Sequence, residues 1–327
     1  MKRRRGELGK WLEGAATPLL VGAAALLALD VARRVFRHHQ LFCPSAEPAL
    51  SWNPDDYGIP RERVSEEWFE TPDGEVLYGW YCRAERPIAS SVFCHGNTGN
   101  LTTNADVIPH LLDSGFNVLL FDYRGFGKST GRPSLTGIIS DGVTAARFHD
   151  RIRPKSLPSI LYGYSLGGAV AAQIIRKHPF DALILQSTFT TLPDLARVTF
   201  PRIPLHLVAG NFFDTLSVLR TLEVPLLLLH GENDEVCPSW MARKLFDAAP
   251  CTKRLEIVSE GMHKDLFIRD GDALVWAIHQ FVKDLPPHSA RRASVEQPRP
   301  RGLDPLLDAF FRAVRRHLRR NPAQHAL

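Results

Sequence analysis

Three glycine-marked segments carry a serine, an aspartate and a histidine in an order that suits nucleophilic catalysis. The serine is Ser165, within Gly163-Tyr164-Ser165-Leu166-Gly167-Gly168, between an apolar run at 159–162 and a helical pattern from Ala169 to Lys177. A G-x-S-x-G between strand and helix makes a sharp, strained turn that lifts a serine hydroxyl out of a sheet edge. Glycine is needed on either side because neighbouring backbones come too close for a Cβ. A hydroxyl is a poor nucleophile until a base takes its proton, and the base needs an acid to hold its tautomer. In such a turn's setting the acid follows a later strand and the histidine comes near the end. Asp234 lies in His230-Gly231-Glu232-Asn233-Asp234-Glu235, after the apolar run 224–229, and is the acid preferred over its neighbours Glu232 and Glu235. His263 lies in Ser259-Glu260-Gly261-Met262-His263-Lys264-Asp265, after the run 255–258, and is the base preferred among thirteen histidines. His279 sits inside a helical pattern and reads as structural.

A tetrahedral intermediate also needs donors for its oxyanion. After the run 91–94 comes His95-Gly96-Asn97-Thr98-Gly99-Asn100, a turn that can present a backbone N–H toward the carboxyl edge of a sheet. The expected donors are the backbone amides of Asn97 and Leu166, the latter at a helix N-terminus. His95 reads as a turn residue, since it lacks companions at metal-ligand spacing. Gly125-Phe126-Gly127-Lys128-Ser129 resembles the end of a phosphate-binding loop, but Asp122 stands where that loop requires glycine. No metal, nucleotide or other cofactor is expected.

The elements that must hold these residues follow from the hydrophobic pattern. Apolar runs at 88–94, 117–122, 159–164, 182–186, 224–230 and 255–258 alternate with helical stretches such as 136–149, 166–177 and 239–248. Strands apolar throughout, alternating with helices, indicate a parallel sheet covered on both faces. Residues 66–82 differ: two alternating runs flank Pro72-Asp73-Gly74 and predict a hairpin. The interval 187–223 breaks the alternation, being apolar but carrying prolines at 193, 201 and 204. It is expected to be a short helical lid insertion over the carboxyl edge, where α/β ligand sites form; extra core packing is the alternative.

The formal charge of +5 is unevenly spread. Residues 1–39 carry eight basic and three acidic side chains, residues 286–327 nine and three, and the body between them 23 and 29. The acidic body excludes a nucleic-acid reading, while basic ends beside apolar segments suit anionic membrane surfaces. Residues 14–29 carry no charge, a run slightly short of the ~20 residues of a membrane-spanning helix. They are expected to form a single-pass anchor, with a cleaved signal peptide as competitor. Five basic residues before the run weakly favour a cytoplasmic N-terminus and an extracytoplasmic body. Residues 40–65 read as a linker, 66–285 as the main domain and 286–302 as a second, flexible linker. From 303 to 327 runs a basic tail in which Leu303, Leu306, Leu307, Phe310, Phe311, Val314 and Leu318 recur at helical spacing. Such an amphipathic helix binds a membrane surface or docks on the protein's own body. Five scattered cysteines form neither a disulfide framework nor a metal pattern, and Cys94 reads as a small buried hydrophobe.

Together these motifs resemble the α/β-hydrolase superfamily, over residues 66–285, about two-thirds of the chain. Asp122-Tyr123-Arg124-Gly125-Phe126-Gly127-Lys128-Ser129 resembles its D-x-R-G-x-G-x-S turn. The segments at 95–100, 163–168 and 230–238 are similar to a membrane-anchored branch that includes bacterial members and protein depalmitoylases. The resemblance implies a mostly parallel eight-stranded sheet and a triad of Ser165, Asp234 and His263. The expected activity is cleavage of carboxylic esters or thioesters through an acyl-enzyme, on acyl-chain or lipid-related substrates. A serine peptidase, or an idle hydrolase fold serving as a membrane interaction module, are the alternatives. Met262-His263-Lys264 departs from the more usual Gly-His-Asn, and the basic tail is not a general family feature.

Overall fold

The structure is a computed structural model and describes residues 41–202, 206, 210 and 212–286. Among these residues an eight-stranded sheet forms around central strands that are buried along their whole length. Its strands are β2 (Val64–Glu70), β3 (Val76–Cys82), β4 (Ala89–Cys94), β6 (Phe116–Phe121), β7 (Ser159–Tyr164), β8 (Ala182–Gln186), β9 (Leu226–Gly231) and β10 (Lys253–Val258). Their order across the sheet is β10-β9-β8-β7-β4-β6-β3-β2. β2 and β3 form the antiparallel hairpin expected around Pro72-Asp73-Gly74, and β3 also runs antiparallel to β6. All other neighbours are parallel. A separate short pair joins β1 (Cys43–Pro44) to β5 (Thr98–Gly99).

Successive side chains of a strand point to opposite faces, so each central strand feeds two cores. Leu183 and Leu185 of β8 join the core beneath α2 (Leu135–Ile152), α3 (Leu166–Ile175) and α6 (Trp240–Ala248). Ala182 and Ile184 join the opposite core with α1 (Ile108–Asp113) and α7 (Leu266–Lys283). Burial on both faces explains why these strands read as unbroken apolar runs. Helices start where side chains satisfy the orphan amides: Ser134 accepts from Gly137 N–H at the head of α2 at 3.0 Å.

The interval 187–223 contains α4 (Leu192–Thr199) and α5 (Thr215–Leu219), with residues 203–205, 207–209 and 211 outside the described set. Leu192, Phe213, Val218 and Leu219 enter the core beside α3, whereas Phe189 and Leu195 line a cavity over Ser165. The segment therefore serves both as packing and as part of the site's wall. Residues 41–65 correct the linker expectation. Leu41, Phe42, Ile59 and Val64 are buried, and two 3₁₀ turns, Pro54–Tyr57 and Arg61–Arg63, lie between them. The apolar residues there are too sparse to give a periodic signal. Among the described residues no helix is long and apolar enough to cross a membrane. The expected anchor (1–39), the second linker beyond Pro286 and the tail (303–327) lie outside the described residues.

Candidate active site

The elbow is built by steric necessity. Ser165 sits at φ 53°, ψ −119° between β7 and α3, a backbone state that costs a non-glycine residue about 1–3 kcal/mol. A Cβ on Gly163 would lie 2.5 Å from the Gly167 carbonyl oxygen, and one on Gly167 would lie 1.9 Å from that of Cys94. Only glycine lets α3 settle this close to the ends of β7 and β4. The hydroxyl of Thr188 donates to the Ser165 carbonyl at 2.8 Å, tying the strained residue to the loop after β8.

Ser165, Asp234 and His263 come together from three strand ends. Ser165 Oγ is 3.0 Å from His263 Nε2, and His263 Nδ1 is 2.9 Å from Asp234 Oδ2 and 3.0 Å from Oδ1. In neutral His263 an Nδ1–H donated to Asp234 leaves Nε2 as acceptor for the serine proton. All three residues are buried. Asp234 Oδ1 also accepts the N–H groups of Val236 and Cys237, at 2.9 and 2.7 Å. Burial pushes the Asp234 carboxyl up, but hydrogen bonds from His230 and His263 and from the Cys237 amide outweigh it and hold it at about 2. Glu232 and Glu235, the alternative acids, are exposed.

Two residues around these three were not legible in the sequence as part of the site. His230 lies in the same motif as Asp234; its Nε2 is 2.6 Å from the Cys237 carbonyl and 3.3 Å from Asp234 Oδ2. His95 is fully buried, with Nδ1 2.8 Å from the Gly96 carbonyl. That contact orients the 96–97 peptide, whose N–H belongs to Asn97. The other expected donor, Leu166, opens α3, where the first amides lack intrahelical partners. Gly96 lies against Ser165: a Cβ there would be 3.2 Å from the Tyr164 ring and 3.8 Å from Ser165 Cβ.

A cavity of about 260 Å³ opens over Ser165, with Leu41, Asn97, Phe189, Leu195, Val236 and His263 among its walls. Cys94 is buried nearby and burial pushes its thiol up to about 12, so it is an inert packing residue. Lys128 of the phosphate-loop look-alike points its ammonium at the rings of Trp52 and Tyr78, 4.4 and 4.5 Å away. His279 accepts the structural reading, its Nδ1 3.2 Å from the Ser114 carbonyl. Among the described residues no group of three or more His, Cys, Asp or Glu side chains could hold a metal ion.

Comparison with known proteins agrees with this architecture. The family described as alpha/beta hydrolase fold matches residues 92–212, and that described as serine aminopeptidase, S33, matches residues 213–269. The chain is 33% identical to the uncharacterised protein YfhR of Escherichia coli, over 71% of this chain and 87% of that one. It is 29% identical to the uncharacterised membrane protein YNL320W of Saccharomyces cerevisiae, over 77% and 92%. Among solved structures, a Pyrococcus furiosus esterase superposes with a TM-score of 0.62 at 19% identity, over 75% of this chain and 98% of that one; at that identity the likeness speaks to fold.

Proposed function

The chain belongs to the α/β-hydrolase family, and from that premise we propose that it is a serine hydrolase of carboxylic esters or thioesters working through a Ser165–His263–Asp234 triad. The observation that carries this reading is the unbroken chain of contacts, 3.0 Å from Ser165 Oγ to His263 Nε2 and 2.9 Å from His263 Nδ1 to Asp234. Esterases among its structural neighbours support the hydrolase class.

In this mechanism Ser165 Oγ attacks the acyl carbonyl carbon while its proton passes to His263 Nε2. Asp234, ionised throughout, holds the imidazole in the Nδ1–H tautomer and stabilises the imidazolium. The carbonyl oxygen becomes an oxyanion held by the Asn97 and Leu166 amides, a term worth about 2.7–4 kcal/mol per donor. Collapse of the intermediate expels the alcohol or thiol, which takes the proton from His263 and leaves an acyl-Ser165. Water then attacks that ester with His263 again as base, releasing the acid. The apolar walls given by Leu41, Phe189, Leu195 and Val236 favour an acyl chain as the group bound beside Ser165.

Labelling with a fluorophosphonate tests the assignment: the wild type is expected to label and Ser165→Ala to be blank. Folded wild type that does not label would leave a non-catalytic interaction module as the reading. The aminopeptidase match at 213–269 favours a second substrate class with the same triad. Turnover of aminoacyl p-nitroanilides in preference to p-nitrophenyl acyl esters would select it. The proposal also includes attachment to a membrane through residues 14–29, with residues 303–320 as a second contact. The yeast relative, named a membrane protein, supports it.

A further inference from the structure

The turn that carries Asn97 is held in shape from outside. β5 has only two residues, and its partner is β1, with Cys43 opposite Thr98 and Pro44 opposite Gly99. Cys43 N–H donates to the Asn97 carbonyl at 2.8 Å, and Ser45 N–H to that of Gly99 at 2.8 Å. In return Asn100 Nδ2 donates to the carbonyls of Ser45 and Glu47, at 3.0 and 2.8 Å. Gly127 N–H, from the turn after β6, donates to the Ser45 carbonyl at 3.0 Å. Leu41 and Phe42 are each 5% exposed, and Leu41 lines the cavity over Ser165.

Carbonyl and N–H of one trans peptide lie in a plane and point in opposite directions. The His95 contact holds the carbonyl of the 96–97 peptide, and the Cys43 N–H holds that of the 97–98 peptide. Two adjacent peptide planes are thereby set, one of them carrying the Asn97 N–H. Without the bond from Cys43, the 97–98 peptide loses this restraint, and the Asn97 N–H is held through the His95 contact on the 96–97 peptide. An oxyanion donor has to be in position before charge develops, so a group that fixes the peptide plane adjoining that donor acts on the reaction without touching substrate.

We propose that residues 41–47 form a strap belonging to the active site, in which the Cys43 N–H positions the oxyanion turn and the Leu41 side chain walls the acyl pocket. The proposal rests on the serine-hydrolase reading above. It assigns a task to a segment outside the alternating strands and helices. In sequence, only residues 30–40 separate the strap from the apolar run at 14–29.

Proline has no N–H, so Cys43→Pro in the full chain deletes the donor, while Cys43→Ala keeps it. On p-nitrophenyl butyrate, Cys43→Pro is expected to lower kcat roughly 10- to 100-fold with KM within about threefold, somewhat less than the loss of a whole donor. Cys43→Ala is expected to stay within about twofold of wild type, because the backbone donor remains. A folded Cys43→Pro protein, with unchanged circular dichroism and unfolding midpoint, that matches Cys43→Ala in kcat overturns the proposal. Leu41→Trp gives a reading that does not depend on Cys43→Pro folding. It is expected to lower the ratio of kcat/KM for octanoate over acetate esters roughly 10-fold, since a pocket discriminates chain length by filling. An unchanged chain-length profile overturns the proposal as well. Wild type without any Ser165-dependent hydrolysis would sink the hydrolase reading itself, a result distinct from active wild type with indifferent strap variants.

Discussion

Asp234 and Asp122 are buried carboxyls just past strand ends, and their surroundings push them in opposite directions. Asp234 is held at about 2, against an ordinary 3.8, because its hydrogen bonds outweigh the burial that would raise it. A carboxyl lowered by folding stabilises the fold above its unfolded value and loses that contribution as pH falls through the folded value, here about 2 kcal/mol. Asp122 is raised to about 8, because burial outweighs the amides of Leu101 and Lys128 that favour its charge. His95, with Nε2 3.6 Å from Asp122 Oδ1, offers no compensating cation, since burial lowers it to about 4. Between about pH 4 and 8 the folded state therefore keeps a proton on Asp122 that the unfolded chain has released, so the contribution of this group falls as pH rises, while the lowered His95 acts in the opposite sense up to its ordinary value of 6.5. Urea unfolding across pH is expected to show both limbs. Asp122→Asn should flatten the decline between about pH 6.5 and 8, where the buried histidines no longer offset it, and Asp234→Asn should reduce the loss below pH 4. Asp234→Asn should also lower kcat by roughly 10⁴-fold, because the wrong imidazole tautomer is then held.

At the level of elements, the turn after β6 is a junction. Arg124 Nη2 donates to Asp141 of α2 at 2.7 Å, and its Nη1 donates to Asp73 at the tip of the β2–β3 hairpin at 2.7 Å. Asp141 is fully buried, and burial raises its carboxyl even against the pull of Arg124. Removing one partner of such a pair leaves an uncompensated buried charge, at a cost of about 3–5 kcal/mol. Arg124→Ala is expected to lower the unfolding free energy by that amount, read from urea denaturation. Fluorophosphonate labelling of the protein that remains folded should persist, since Arg124 lies outside the Ser165 contacts. Full loss of labelling in folded Arg124→Ala would mean that this junction also sets the elbow.

For the molecule as a whole, the acidic body between two basic ends separates place from chemistry. Attachment is proposed to lie with residues 14–29 and 303–320, and turnover with the sheet's carboxyl edge. Because the strap begins at Leu41, a protein lacking residues 1–39 retains every contact described for the oxyanion turn. It is expected to hold the membrane more weakly, through residues 303–320 alone, while keeping kcat within about twofold of the full chain, as distant, independent sites do. Ultracentrifugation and ester hydrolysis on the two proteins check this. Release accompanied by a large loss of kcat would tie the first 39 residues to the chemistry.

The convergence of Ser165, Asp234 and His263 was legible from the sequence because each requirement leaves a local mark. A strained elbow needs its glycines, and doubly covered strands need unbroken apolar runs. Acid and base must follow particular strands, so their order along the chain could be read before their contacts were known. The hairpin at Pro72-Asp73-Gly74 was legible for the same reason, since a turn's chemistry lies in adjacent residues. The tertiary structure alone decided what depends on contacts between distant segments. Residues 41–47 read as a linker because they take part through their own backbone groups, bonded to partners at 97–100 and 127, and backbone groups carry no residue-type signature. His95 and Asp122 read as members of glycine turns because burial, which sets their protonation, is a property of everything packed around them. Local stereochemistry thus determined which residues would meet at the carboxyl edge of the sheet, and long-range packing decided which others hold them in position.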